Sequence, residues 1–318
     1  MRRSSHTKSI SWCFAIAFAC TYSVLVSSGL AQDRVRVVTT TTDLRSLVEA
    51  VGGDCVEAIS LVPGATNAED YQPRPQDLVR LKNAQLLVRV GLDYDLWLDR
   101  LLAQAKSLGG NPDLGRGEAG YVDASFGIPV LEVRGMSVGP GDGHAHGNGN
   151  PHYWLDPRNA EIITSTILEA LARRDPANAA TYEANRLTFL ARLETKLSEW
   201  QAKLAPLKAM PLVAYHNSWP YFARRFRLDF VDFLEPKPGV PPSPSHLAGI
   251  LQVMRARGVR IVVREPYEPE RDVAFVAGKA GAAVVTLAAS VGALPQTDDF
   301  ISLFDRDVEA LKRAASAE

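Results

Sequence analysis

The sequence predicts an α/β protein built as two parallel-sheet lobes joined by one long, rigid linking helix. Short β-rich runs alternate with amphipathic helical stretches through the first half of the chain, and the same alternation returns in the second half. Between the halves lies a single apolar stripe at helical spacing, about 30 residues long. The 318 residues leave room for two cores.

Residues 1–31 stand apart as a secretory signal peptide. Arg2, Arg3 and Lys8 precede an apolar run from Ile10 to Val26, and Gly29-Leu30-Ala31 offers the small residues a signal peptidase reads. The run is interrupted by Ser11, Thr21 and Ser23, which argues against a membrane anchor. Cleavage after Ala31 takes the formal net charge from −1 to −4 and removes Cys13 and Cys20. Cys55 is then the single cysteine, so no intramolecular disulfide forms, and its place in DCVEAISLV reads as a buried structural thiol in a strand.

The N-terminal lobe, 32–174, opens with the strand VRVVTTT at 35–41 and a helix near 43–52. CVEAISLV at 55–62 and AQLLVRV at 84–90 are further strands, with helices near 75–83 and 94–106. Asp156-Pro157 opens a helix over 158–174. The linking segment, 175–209, starts with Asp175 as N-cap and Pro176 at the first helical position. Leu187, Leu190, Leu193, Leu197, Trp200, Leu204 and Leu207 then recur every three or four residues. That face could seat a coiled-coil partner, but one isolated helix between two α/β halves reads more simply as a backbone joining two lobes. The C-terminal lobe, 210–318, carries strands at 211–216, 229–236, 260–266 and 282–288, and a last helix near 299–315.

Balanced charge, 35 basic against 36 acidic residues, gives no electrostatic ground for nucleic-acid binding. In open parallel sheets, ligands bind beyond the carboxyl ends of the strands. His216 meets that condition directly, because it ends PLVAYH and begins a helix. His152 is held near a helix start, with Tyr153 and Trp154 beside it. Two neutral imidazoles from opposite lobes are a natural pair of ligands for a borderline divalent metal. His144 and His146 differ: glycines at 141, 143, 147 and 149 leave their backbone without fixed geometry, so they read as a weakly metal-capturing loop.

TTTTDL (39–44), LVPGATNAEDYQPRPQDL (61–78), GNPHYWLDP (149–157), VAYHNSWPYFARRF (213–226), EPKPGVPPSPSHL (235–247) and REPYEP (264–269) occur in an order that resembles the periplasmic solute-binding proteins of zinc and manganese ABC transporters. The resemblance covers the whole chain after the signal peptide. It implies one divalent metal between the lobes, zinc first with manganese or iron as alternatives, delivered by a monomer in the periplasm to a permease in the inner membrane. His152 and His216 fall on two of the family's ligand positions.

Two departures stand out. Where the family has the histidine of an Asp-Pro-His-x-Tyr/Phe-x-Pro motif, this chain has Glu69, with Asp70 as neighbour. Where many members have an acidic ligand after the last strand, this chain has no carboxylate from Leu287 until Asp298. Glu265, ending RIVVRE, is the replacement candidate, with Glu235, His246 and Asp298 in reserve. The expected metal set is therefore His152, His216, Glu69 and Glu265. A secreted zinc-dependent hydrolase is the alternative from another class, although no compact His-Glu-x-x-His motif is present; a metal-dependent adhesin is a third.

Overall fold

A computed structural model describes Met1 and residues 33–132 and 149–316. The signal peptide and the histidines at 144 and 146 lie outside the described residues. From Asp33 onward the chain forms a single unit containing two four-stranded sheets.

The first sheet holds β1 (Val35–Thr39), β2 (Val56–Ser60), β3 (Leu86–Arg89) and β4 (Tyr121–Asp123), all parallel, in the order β2-β1-β3-β4. The second holds β5 (Pro211–Ala214), β6 (Asp229–Phe233), β7 (Ile261–Arg264) and β8 (Ala283–Thr286), also parallel, in the order β6-β5-β7-β8. Central strands of such sheets are covered on both faces, which is why β3 and β5 read as continuous apolar runs rather than alternating ones. Each sheet reverses its winding between its two central strands, and the crevice beyond that point is where an open α/β sheet takes a ligand.

The helices are α1 (Thr42–Gly52), α2 (Pro75–Asn83), α3 (Trp97–Ser107), α4 (Ala160–Arg174), α5 (Ala179–Leu204), α6 (Pro220–Phe226), α7 (Pro244–Arg257), α8 (Glu270–Ala280) and α9 (Phe300–Ser316). Thr41 caps α1 by accepting from the Leu44 amide, and Gly53 ends it at φ +51, a conformation glycine adopts freely. The three-residue β4 was absent from the expectation because nothing in so short a run shows alternation. Cys55 is half-buried in a 3-10 turn before β2, rather than buried within the strand as expected.

Helix α5 spans 26 residues, about 39 Å at 1.5 Å per residue. Its buried face runs through Tyr182, Phe189, Leu193, Leu197, Trp200 and Leu204. Leu187 is instead 55% exposed. Each three-residue step turns back by roughly 60° relative to a full turn, so the series 187, 190, 193 drifts off the buried face. Phe189 takes its place.

The buried face of α5 packs within its own chain, against α1, α4 and α9. Trp200 Nε1 donates to Asp305 Oδ1 at 2.8 Å, Asn185 Nδ2 donates to the Val51 carbonyl at 3.1 Å, and Phe189 meets Phe300 edge-on. The main core accordingly joins Val88 of the first sheet and Val263 of the second to Leu47, Trp200 and Phe304 of helices α1, α5 and α9. Among the described residues no helix is long and apolar enough to cross a membrane.

Candidate metal centre

Glu69, His152 and His216 come from three separate segments and converge. One potential ligand atom from each lies within 4.8 Å of the other two. His152 Nε2 is 3.3 Å and His216 Nε2 is 3.7 Å from Glu69 Oε1. Donors bound tetrahedrally to zinc at about 2.0–2.2 Å stand about 3.3–3.6 Å apart, so Glu69 Oε1 is at or close to that spacing from both imidazole nitrogens.

Each side chain is aimed by its own segment. Glu69 sits in the loop after β2, where its amide donates to Asn67 Oδ1 at 3.0 Å and Trp97 Nε1 donates to the Ala68 carbonyl at 2.8 Å. Tyr71, buried edge-on against Trp97, donates to Asp77 Oδ2 at 2.8 Å and anchors the loop's far side. Asp70 accepts from Asn67 Nδ2 at 3.2 Å and is exposed, so it stands outside the group.

His152 precedes the 3-10 turn Tyr153–Leu155. Its Nδ1 lies 3.1 Å from Asn150 Oδ1, which takes the Nδ1 proton and leaves Nε2 facing Glu69. Tyr94 and Trp154 flank the ring at centroid distances of 5.4 Å each. His216 follows β5, and its Nδ1 contacts Glu235 Oε2. That carboxylate is held in turn by the Gly239 amide, which donates to Oε1 at 2.8 Å. Both imidazoles thus have one nitrogen fixed by an oxygen and the other turned to the centre, as metal-binding histidines do.

A polar clasp sets the two histidines relative to each other. Asn150 Nδ2 donates to the Asn217 carbonyl at 2.9 Å and to Glu132 Oε2 at 3.1 Å, and Asn217 Nδ2 donates to the same oxygen at 2.9 Å. Tyr221 OH adds a bond to the Asn150 carbonyl at 2.9 Å. Sequence reasoning passed over Asn150, Asn217 and Glu132; the asparagines' position beside the two histidines was the available signal.

The proton affinities follow from this packing. Burial opposes charge on Glu69, but hydrogen bonds and charge from His152 and His216 outweigh it and hold the carboxyl below its ordinary range. Burial pushes His152 down, with Glu69 opposing. Burial would also lower His216, yet Glu235 and Glu69 raise it well above the usual histidine range.

Glu265 is the one expected residue that the structure does not bring into the group. It is fully buried at the end of β7, accepting from the Ser218 hydroxyl at Oε1 and the Tyr267 hydroxyl at Oε2. Burial raises its pKa against those two bonds. Of the reserves, Glu235 orients His216. His246 Nε2 lies 3.0 Å from the Phe233 carbonyl in the first turn of α7, and Asp298 is exposed. A cleft of about 310 Å³ opens onto the centre, lined by Asn67, Glu69, His216, Glu235, Tyr267 and Glu268. A larger groove of about 650 Å³ outside α2 and α3 has no carboxylate or imidazole in its wall, so volume alone does not locate the site.

Two parallel α/β lobes around a long helix, with a polar cleft beyond the strand ends, describe a solute-binding protein. The chain belongs to the ZnuA family, the periplasmic component A of the zinc-uptake complex, whose sequence model matches residues 37–314. A putative metal-binding protein of Treponema pallidum is 26% identical over 325 residues, covering 100% of this chain and 98% of that protein. The iron-binding protein YfeA of Yersinia pestis is 25% identical, covering 88% and 86%. A crystal structure of a zinc-bound ZnuA deletion mutant superposes with a TM-score of 0.74 at 28% identity, covering 90% of this chain and 100% of that one.

Proposed function

We propose that this chain captures one divalent transition-metal ion in the periplasm and delivers it to an ABC permease of the inner membrane. The observation that carries the proposal is the convergence of Glu69, His152 and His216 to within 4.8 Å at the lobe interface. The lobes 32–174 and 210–318 grip the ion from opposite sides, with the segment 175–209 linking them, after the signal peptide is cut behind Ala31. The protein works as a monomer and as a binder, not as an enzyme: capture and release need donors, a dry surround and a partner that opens the site.

Zinc is the first candidate, because two imidazoles with carboxylate oxygen suit it. Glu69 in place of an imidazole makes the site harder and brings manganese and ferrous iron closer in affinity. The zinc-bound ZnuA mutant and the iron-binding YfeA support that range of cargo. The test is elemental analysis of protein purified without added metal, followed by zinc and manganese titrations of the unsubstituted chain and of His152→Ala and His216→Ala. Each substitution should abolish tight binding with the fold intact. Retained nanomolar affinity in either would overturn the assignment.

A further inference from the structure

Three protein donors leave a divalent ion with one position to fill and one positive charge to balance. The loop after β8 cannot supply the group. It has no acid between Leu287 and Gly292, and the Val291 amide there donates to Asp43 Oδ1 at 2.9 Å. Asp43 Oδ2 is likewise buried without a hydrogen-bond partner, but Asp43 does not line the cleft, which leaves the acids beyond the ends of β6 and β7 to compare: Glu235, Glu265 and Glu268.

Their hydrogen bonds separate them. Glu235 has one oxygen on His216 Nδ1 and the other on the Gly239 amide. Glu265 has its two oxygens on the Ser218 and Tyr267 hydroxyls. Glu268 uses only one: Oε2 accepts from the Glu265 amide at 2.6 Å, while Oε1 is buried with no hydrogen-bond partner. The residue is 7% exposed, yet it lines the same cleft as Glu69 and His216. A buried oxygen with no donor is costly to leave unmet; the charges of Glu265 and Glu235 disfavour an ionised Glu268, and only His216 opposes them. What this oxygen lacks is a bonding partner, a place a metal ion can take.

We propose that Glu268 is the second carboxylate of the metal centre, its Oε1 completing the donor set of Glu69, His152 and His216. The inference rests on the function proposed above. Two carboxylates neutralise a divalent ion, so the loaded cleft carries no net charge at its centre, whereas Glu69 alone would leave a buried positive charge. Two oxygens with two nitrogens also move the site further toward manganese and iron than Glu69 does by itself.

Glu268→Gln keeps the shape and an oxygen for the Glu265 amide but removes the charged donor. Chelator-competition titrations of the folded variant, with far-UV circular dichroism as the check on folding, should show zinc affinity falling by about tenfold or more, manganese affinity falling further, and one ion still bound. Binding within about twofold of the unsubstituted chain would overturn the assignment. If Glu268→Gln binds normally while His152→Ala and His216→Ala do not, Glu268 alone is refuted. If the histidine variants also bind normally, it is the proposed site that fails. A crystal structure of the metal-loaded, unsubstituted protein decides the matter without a variant. A Glu268 oxygen at about 2.0–2.6 Å from the ion supports the proposal, and a Glu268 that bonds only the Glu265 amide while water fills the fourth position overturns it.

Discussion

Replacing Glu69 by alanine and by histidine tests the feature that sets this chain apart from the motif it resembles. Its Oε1 stands 3.3 Å and 3.7 Å from the two imidazole nitrogens, so an ion there has Glu69 as its only anionic donor among the three converging residues. Alanine removes a ligand outright. Changes to groups that merely support ligands cost 10- to 100-fold, so losing Glu69 should cost at least about 100-fold, or about 2.7 kcal/mol, for zinc and more for manganese. Histidine restores a donor but changes oxygen for nitrogen and removes a charge, which favours zinc. The zinc-to-manganese affinity ratio should rise by about tenfold or more, about 1.4 kcal/mol. Calorimetric titration of both variants with both metals measures all four constants. Unchanged zinc and manganese constants in Glu69→Ala would show that the carboxylate only solvates the cleft and that the convergence is incidental.

Three other outcomes are expected. Because His216 is raised well above the usual histidine range by Glu235 and Glu69, an incoming ion must displace a proton, and affinity should climb by up to about tenfold per pH unit between about pH 6 and 8; a flat profile in buffered chelator competition contradicts this. Asp43 is fully buried, and burial raises its pKa to about 7. The folded state therefore holds a proton the unfolded state has lost, and this contribution to the stability of the metal-free protein, present below about pH 4, disappears as pH rises through about 7. Asp43→Asn should reduce that decline in urea melts at pH 5 and 8, with the remaining slope due to Asp307, raised by burial to about 8, and to Glu265 and Glu268, which burial also raises. Deleting 142–148 should slow metal capture but leave equilibrium affinity within about tenfold, since the clasp of Asn150, Asn217 and Glu132 lies outside the deleted residues; a collapse in affinity would make His144 or His146 a primary ligand.

What the sequence determined was local. Apolar runs such as PLVAYH and RIVVREP predict strands because a strand covered on both faces has no polar alternation to hide, and strands of this kind appear at β5 and β7. His216 pointed to the cleft because a residue that ends a central parallel strand has nowhere else to face. His152 and Glu69 were legible through the motifs around them. The tertiary structure decided what depends on partners distant in the chain. Leu187 and Phe189 are both apolar, and only the position of Phe300 in space determines which of them is buried. Glu265 and Glu268 are equally acidic in REPYEP. Their difference lies in Ser218 and Tyr267, whose hydroxyls occupy both oxygens of the first and leave one oxygen of the second unmet. A carboxylate's role is set by which of its lone pairs are already taken, and that is a property of neighbours rather than of spacing along the chain.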